Sequence, residues 1–175
     1  VAWNKVYIEK ICKFYSSISR TKFTILRHSN VFGPYDTFDL NKSHVCAATI
    51  KKVFDSNNNK IKVWGNGREG RDLLFVYDLV EAIRLSIKNQ KNKYEIFNIG
   101  SGKLISVNNL VKNIIQVSNK KMAIIFDKTK PTNNFSVFLD CRKANKLLKW
   151  KPHYDLRSGL LLTIQWYKSN FLKNS

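Results

Sequence analysis

The chain lacks the long apolar runs and paired cysteines that mark membrane and disulfide-bonded proteins. No run of about 18 apolar residues occurs, so no segment predicts a transmembrane helix. The N-terminus shows neither the order of a signal peptide nor an initiator methionine, a pattern that we interpret as a fragment or an internal start. Cys12, Cys46 and Cys141 are odd in number and far apart. They predict reduced thiols in the cytoplasm, with no disulfide framework and no metal site.

Acidic residues are scarce, since 12 Asp and Glu oppose 31 Lys and Arg and give a formal net charge of +19. Such a charge is compatible with a nucleic-acid surface. However, the lysines are spread along the whole chain and usually stand beside asparagine, as in segment 88–93. We therefore favour compositional drift of surface positions, and we expect no nucleic-acid partner. A positive field would also attract a diphosphate substrate.

A glycine-rich turn between a strand and a helix is also missing. Gly65, Gly67 and Gly70 lie close together, but the pattern predicts a strand on both sides of them. A dinucleotide turn needs a helix N-terminus to hold the pyrophosphate. We therefore expect the first half of a dinucleotide-binding fold to be absent from these 175 residues.

The pattern that is present is an alternation of strands and helices. With 43% hydrophobic and 13% aromatic residues, the chain can bury one core. Periodicity predicts helices over 2–17, from a cap at Asn41 or Ser43 to about 54, and over 78–88, 106–117, 142–148 and 156–171. The third of these has a predicted apolar face at positions 79, 80, 83 and 87, and the fourth has Ser106 as its cap and an inner stripe at positions 107, 110, 111, 114 and 115. Periodicity also predicts strands over 22–27, 60–64, 72–76, 94–99 and 121–126, a short extended piece over 137–139, and a loop over 30–40. The alternation indicates an α/β fold.

Six stretches of the chain carry recognisable motifs. Asn-Val-Phe-Gly-Pro stands at 30–34, Ser-His-Val at 43–45 and Asn-Ile-Gly-Ser-Gly at 98–102. The others are 63–67, followed by Arg71, a Lys-Pro loop at 126–131, and 147–150. In this order the six stretches resemble the GDP-L-fucose synthase-like members of the NAD-dependent epimerase/dehydratase family, which are extended short-chain dehydrogenases/reductases. The stretches at 30–34 and 98–102 mark only the wider sugar-nucleotide group, whereas Ser-His-Val and the Lys-Pro loop narrow the resemblance.

The resemblance implies a fold and an activity. The fold would be the C-terminal part of a Rossmann-type nucleotide-binding domain, over 1–34 and 77–102, interleaved with a small α/β substrate-binding domain over 35–76 and 103–175. The activity would be NADP(H)-dependent epimerisation and reduction of a GDP-linked 4-keto-6-deoxy-sugar in the cytoplasm, by a homodimer of full-length chains. No membrane partner is implied.

Two catalytic residues are implied by the resemblance. Lys5 would close a Tyr-x-x-x-Lys pair on one helix face, where it lowers the pKa of the tyrosine and bonds the nicotinamide ribose. The tyrosine would fall on Val1, which cannot donate a proton. His44 would act as general acid and base, since imidazole exchanges protons near neutral pH. The family's partner cysteine would lie upstream, so we expect this chain alone neither to bind NADPH properly nor to turn over.

The resemblance also implies two groups of binding residues. The cofactor-binding group consists of Lys5, His28, Ser29, Asn30 and Val31. The substrate-binding group consists of His44, Lys52, Trp64 and Arg71. Within the second group, arginine can clamp a diphosphate with two parallel hydrogen bonds, and tryptophan offers a flat apolar face.

Several departures leave other interpretations open. His28 replaces a proline, Lys52 replaces an arginine, and segment 132–137 lacks the expected Asp-Gly and Pro-Arg-Lys. Another nucleotide-sugar epimerase or 4,6-dehydratase is one alternative, and GDP-mannose 3,5-epimerase is the nearest competitor. A degenerate non-catalytic remnant, or a binding module with a basic face, is the other.

Overall fold

The computed structural model describes residues 2–130 and 136–172, and it confirms the α/β class. Val1 and most of segment 132–137, on which two of the predicted departures fall, lie outside the described residues. The helices are α1 (Ala2–Ile18), α2 (Val45–Asp55), α3 (Val76–Asn89), α4 (Val107–Val117), α5 (Arg142–Leu148) and α6 (Leu156–Phe171). The strands are β1 (Phe23–His28), β2 (Asn30–Phe32), β3 (Lys60–Trp64), β4 (Gly70–Arg71), β5 (Leu73–Phe75), β6 (Tyr94–Ile99), β7 (Ile105–Ser106) and β8 (Ala123–Asp127).

Among the described residues the strands pair two by two. β1 pairs with β6, β2 with β5 and β3 with β8, all in parallel, and only β4 with β7 is antiparallel. Parallel neighbours need crossover connections, which the intervening helices supply. The carboxyl ends of β1 and β6 therefore meet at His28 and Ile99, which are partners in the register. Ligands of open α/β sheets bind beyond such strand ends.

The first helix is held to this strand pair by polar contacts. Arg27 on β1 donates from Nε to Oε1 of Glu9 at 2.9 Å and forms a second bond from Nη2. The Tyr94 hydroxyl on β6 donates to the Glu9 carbonyl at 3.2 Å. The opposite side of α1 exposes large apolar side chains, namely Trp3, Val6, Tyr7, Ile8, Phe14, Tyr15 and Ile18.

Helix α3 exposes its apolar face to solvent and buries small or polar residues instead. Its predicted apolar face is exposed at Val80, Ile83 and Ile87, whereas its buried side carries Asp78, Ala82 and Ser86. Small residues on the buried side allow a close approach to the neighbouring elements. Asp78 joins α3 to the segment between α5 and α6, because its carboxylate accepts hydrogen bonds from the backbone N–H groups of residues 153 and 154 at 2.8 and 3.1 Å. The buried Trp150 indole donates to the Asp78 carbonyl at 2.9 Å.

The structure corrects three predictions. Segment 30–40 is not entirely loop, because β2 pairs with β5 and buries Phe32. Helix α2 begins at Val45 with His44 as its N-cap, so neither Asn41 nor Ser43 caps it. The strand predicted over 72–76 is shorter, since Asp72 interrupts it and α3 already begins at Val76.

The predicted helices at 106–117, 142–148 and 156–171 are confirmed. The Ser106 hydroxyl caps α4 by accepting from Asn109 N at 3.2 Å, and α5 and α6 have the predicted bounds. The inner stripe of α4 packs into the larger core through buried side chains at positions 107, 110, 111, 114 and 117.

Of the helices described, none combines the length and apolarity needed to cross a membrane. In the same part of the chain, no three His, Cys, Asp or Glu side chains are grouped to hold a metal ion.

Candidate functional site

A buried carboxylate organises the loops at the carboxyl ends of β1 and β6. Asp72 is 1% exposed, and its oxygens accept five hydrogen bonds. The donors are Ser29 Oγ at 3.2 Å, Ser101 N at 2.8 Å, Ser101 Oγ at 2.7 Å, Gly102 N at 3.3 Å and Leu139 N at 3.0 Å. Its carbonyl also accepts from the backbone and side-chain amides of Asn30. Asp72 thereby joins its own segment to three others that are distant in sequence, at residues 29–30, 101–102 and 139.

The cleft beside this network brings together predicted residues from three segments. It measures about 510 Å³ and is lined by Asn30 and Val31 after β1, by His44 before α2, and by Arg71 on β4. The other lining residues are Ser43, Val45, Cys46, Gly70, Leu73 and Val137. We call this the His44 cleft. It joins two residues of the predicted cofactor group to two of the predicted substrate group.

His44 enters this cleft from the start of α2. Its carbonyl accepts from Ala48 N at 2.9 Å, and the side chain is exposed with no capping bond among the described residues. Asp36 lies near enough to interact electrostatically with His44, while burial raises the pKa of the Asp36 carboxyl. The imidazole is therefore available to a ligand in the cleft.

Arg71 lines the His44 cleft and is partly buried. Its guanidinium lies 3.4 Å from Oε1 of Glu69 and donates to the Gly70 carbonyl, also at 3.4 Å. An arginine held in this way presents its planar fork in a fixed orientation. Glu69 was not predicted as a site residue, and its only sequence signal is its position two residues before Arg71.

Trp64 and Lys52 lie together on a neighbouring cavity, which shares Ser43 and Val45 with the His44 cleft. The Trp64 ring is 57% exposed, and the ammonium groups of Lys52 and Lys130 each lie 5.8 Å from its centroid. This arrangement, which we call the Trp64 platform, combines a flat apolar surface with two cations. Such a surface suits a planar or ring-shaped group that carries negative charge.

Burial changes the ionisation of several groups at these clefts. Desolvation lowers the pKa of Lys52, whose Nζ donates to the Lys62 carbonyl at 3.4 Å. Burial raises the pKa of the Cys46 thiol, with a smaller contribution from the nearby Asp36. Burial also raises the pKa of Cys141. Since the thiolate is the reactive form of cysteine, neither Cys46 nor Cys141 is activated as a base or nucleophile.

The predicted cofactor residues occupy one strand end, with the exception of Lys5. Ser29 N donates to the Ile99 carbonyl at 2.9 Å, and the exposed His28 ring contacts the Ser29 carbonyl through Nδ1. Lys5 is exposed on α1 and is not one of the residues that line the His44 cleft. Gly65 and Gly67 lie between β3 and β4, and Gly70 begins β4, so none of the three stands before a helix. Residues 28–31 therefore lie together at the end of β1 and the start of β2, and in the described part of the chain no glycine-rich turn leads from a strand directly into a helix.

Comparison with known proteins identifies the family. The sequence pattern of the NAD dependent epimerase/dehydratase family matches residues 2–100. The chain belongs to this family. Members of this family are epimerases, dehydratases and reductases. Residues 2–100 are therefore related to enzymes.

Curated relatives from this epimerase/dehydratase family include proteins of different specificity. The chain is 33% identical over 162 residues to a putative UDP-glucose 4-epimerase of Methanocaldococcus jannaschii, covering 93% of this chain and 51% of that one. It is 31% identical over 168 residues to a GDP-L-fucose synthase of Sinorhizobium fredii, covering 94% and 53%. The chain thus spans about half the length of the curated relatives it matches.

Solved structures of the epimerase/dehydratase family share the fold. A UDP-glucose 4-epimerase of Thermotoga maritima with UDP-glucose matches with a TM-score of 0.83 and 26% identity, over 94% of this chain and 52% of that one. A GDP-L-fucose synthetase of Naegleria fowleri bound to NADP matches with a TM-score of 0.90 and 19% identity, over 98% and 56%.

Proposed function

We propose that the chain is the substrate-binding part of an NADP(H)-dependent enzyme that epimerises and reduces a GDP-linked 4-keto-6-deoxy-sugar. The observation that carries this proposal is the His44 cleft, where Asn30, His44 and Arg71 converge from three segments. Such a cleft offers a proton-exchanging imidazole beside a guanidinium suited to a diphosphate. The similarity to GDP-L-fucose synthases supports the GDP-linked substrate.

Each site residue has a role in this proposal. Arg71, held by Glu69, binds the diphosphate, and Lys52 and Trp64 hold the nucleoside side of the substrate. His44 gives and takes the proton at the sugar carbons beside the keto group. Because Cys46 is kept in its neutral form by burial, the second base has to come from elsewhere in the enzyme.

The proposed cofactor is NADP(H), as in the matching Naegleria synthetase. When bound, the cofactor supplies a hydride to the keto carbon. His28, Ser29, Asn30 and Val31 would line the nicotinamide side, and Ser29 is positioned for this by its bonds to Ile99 and Asp72. Lys5 would approach the nicotinamide ribose from α1.

We also propose the interleaved domain division, the homodimer of full-length chains and the cytoplasmic location. Residues 1–34 and 77–102 would belong to the nucleotide-binding domain, and residues 35–76 and 103–175 to the substrate domain. Two strand pairs support this division, because β1 pairs with β6 within the first part and β3 pairs with β8 within the second, whereas β2 pairs with β5 across the boundary. Analytical ultracentrifugation of the full-length protein tests the dimer.

Calorimetric titration of the chain with GDP-, UDP- and dTDP-linked sugars tests the proposed function. We expect the GDP-sugar to bind most tightly, and Arg71→Lys to weaken it about tenfold because lysine lacks the bidentate fork. Arg84→Lys is the matched control, since Arg84 pairs with Glu81 on the solvent side of α3. Absence of binding by all three sugars contradicts the proposal.

A second candidate function follows from the identity to the putative UDP-glucose 4-epimerase, which is a UDP-sugar enzyme by its name. Tighter binding of the UDP-sugar in the same titration would favour that alternative. Salt-sensitive retention on DNA without a response to any nucleotide sugar would instead favour a binding module with a basic face.

A further inference from the structure

The fold gathers around the Trp64 platform several cations that are far apart in the sequence. They come from α2, from β3, from the turn after β3 and from the loop after β8, and they are Lys52, Lys60, Lys62, Arg68, Lys128 and Lys130. Lys52 is half-buried, and the other five are exposed. The even spread of lysines along the sequence, on which the expectation of no nucleic-acid partner rests, therefore does not persist in the fold.

Three cavities are joined along this face of the molecule. The first, of about 450 Å³, is lined by Lys52, Lys60 and Lys62. It shares Lys52 and Lys62 with the cavity of about 260 Å³ on which Trp64 lies. The third, of about 470 Å³, is lined by Lys130, whose ammonium group stands over the same Trp64 ring. We call the three cavities together the basic groove.

The carboxylates beside the basic groove are already paired. Asp55 in the first cavity forms an ion pair within α2 at 2.9 Å, and Glu69 in the second is engaged by Arg71. Asp127 pairs with Lys62 at 3.4 Å, but the Lys62 side chain remains 68% exposed. Within the part of the chain that the structure describes, no carboxylate lines the third cavity. The groove therefore keeps an excess of positive charge, which attracts a polyanion.

The solvent face of β3 specifies the kind of polyanion. Exposure alternates along the strand, so that Lys60, Lys62 and Trp64 point outward while Ile61 and Val63 are buried. Residues two apart on a strand are separated by about 6.7 Å. This distance is comparable with the spacing of successive phosphates in an extended single strand. An exposed indole next to such a row of cations offers a stacking surface for an unpaired base.

We infer that the basic groove binds single-stranded nucleic acid, with one base stacked on Trp64 and the phosphates held by the surrounding cations. This function goes beyond the proposed enzymatic one and shares only the Trp64 platform with it. The contacts run to the backbone and to one face of a base, so they do not depend on sequence. A duplex keeps its bases stacked inside and cannot use the tryptophan.

Fluorescence anisotropy with labelled oligo-dT and oligo-rU of about twelve nucleotides tests this inference. We expect a Kd of about 10 μM or lower for at least one of them at about 50 mM salt, and weaker binding as the salt concentration rises. Tighter binding of the RNA would identify an added contact to the 2′-hydroxyl, and equal binding would identify recognition of backbone and base alone. Absence of binding by both strands, or equally tight binding of a duplex of the same length, would overturn the inference.

Two triple variants separate a local site from the overall charge of +19. The groove variant is Lys60→Ala/Lys62→Ala/Lys128→Ala. The control variant is Lys88→Ala/Lys91→Ala/Lys93→Ala, which removes three exposed lysines that line none of the three cavities. The groove variant should weaken binding about tenfold and reduce the slope of log affinity against log salt by about 2. The control variant should change the affinity by less than about threefold, and equal losses in both variants would contradict a local site.

Substitution of the tryptophan tests stacking independently of charge. Trp64→Ala should weaken the oligonucleotide about tenfold without changing the salt slope, and Trp64→Phe should restore most of the affinity. Trp3→Ala, which removes a tryptophan that is 84% exposed on α1, should have no effect. Heparin, a polyanion without bases, should bind Trp64→Ala as well as it binds the wild type. Equal losses for heparin and the oligonucleotide would show that Trp64 does not stack on a base.

The outcomes separate this inference from the proposed function. If the chain binds the GDP-sugar but neither oligonucleotide, only the inference fails. If it binds an oligonucleotide but no nucleotide sugar, the inference stands and the proposed function fails. If both ligands bind, the GDP-sugar should displace the oligonucleotide from Trp64, and simultaneous binding without competition would overturn the placement of the strand.

Discussion

The Asp72 carboxylate accepts two hydrogen bonds from Ser101, one from its backbone N–H at 2.8 Å and one from its hydroxyl at 2.7 Å. This contact joins the entrance of β5 to the turn that follows β6. Gly100 permits the close approach, since a Cβ at that position would stand 2.5 Å from Asp72 Oδ2. The walls of the His44 cleft therefore depend on a buried carboxylate that itself does not line it.

We predict that Asp72→Asn destabilises the fold by about 2–4 kcal/mol, because an amide cannot accept all five hydrogen bonds and buries an N–H₂ group against donors. The free energy of unfolding from urea titration measures this change. Asp140→Asn is the control, since Asp140 is exposed and pairs with Arg142 in its own turn. Equal stability of the Asp72 variant and the wild type would show that the network does not hold the loops.

The lowered pKa of Lys52 predicts a pH dependence of nucleotide binding. Burial disfavours the ammonium form, so Lys52 loses its proton at a lower pH than an exposed lysine. The affinity for the GDP-sugar should then fall about fivefold as the pH rises through that lowered value, because a charged contact to the ligand is lost. Calorimetric titrations between pH 7 and about pH 10 measure the decrease.

Two conservative variants make this measurement specific. Lys52→Arg keeps the charge at alkaline pH and should abolish the decrease. Lys51→Arg should leave the decrease in affinity unchanged, because Lys51 is paired with Asp55 at 2.9 Å and that bond raises the pKa of Lys51. A decrease that persists in Lys52→Arg would assign the titration to another group.

The Glu9–Arg27 pair predicts a pH dependence of stability. The hydrogen bond from Arg27 lowers the pKa of Glu9, so its contribution is present above the unfolded value of about 4.3 and is lost as the pH falls through the lower folded value. Arg27→Met should cost less than about 1 kcal/mol at pH 7, since Arg27 is half exposed. Thermal unfolding should show the difference between variant and wild type shrinking below about pH 4.

Arg84→Met is the control for this stability measurement, because the Arg84–Glu81 pair lies on the surface of one helix and joins no separate elements. It should change unfolding little at either pH. A difference between Arg27→Met and the wild type that stays constant from pH 7 to acid would mean that packing of the arginine stem, rather than its charge, links α1 to β1.

The placement of the glycines predicts weak cofactor binding by the 175-residue polypeptide. Gly65 and Gly67 form the turn that leads from β3 toward β4, so no helix N-terminus follows to hold a pyrophosphate. Titration with NADPH should give no saturable rise in nicotinamide fluorescence, whereas the same preparation binds the GDP-sugar. A micromolar or tighter Kd for NADPH would contradict this prediction.

Much of the fold could be predicted because the relevant signals are local. The Ser106 cap, the stripe of α4 and the bounds of α5 and α6 follow from capping and 3.6-residue periodicity within one segment. Strand β2 could not, because Asn30–Phe32 is too short to show a period and becomes a strand only through pairing with β5. The start of α2 was predicted too early, because Asn41 and Ser43 are residue types that often cap helices, whereas His44 is the N-cap.

The sequence by itself determined the family of the protein, because the order of its motifs is that of the family. It also singled out His44, Trp64 and Arg71 as candidate site residues. Only the tertiary structure decided that Asp72 holds the loops and that Glu69 pairs with Arg71 at the cleft. The reason is physical. A motif records which side chains occur, whereas burial and hydrogen-bond partners are set by segments far apart in the chain.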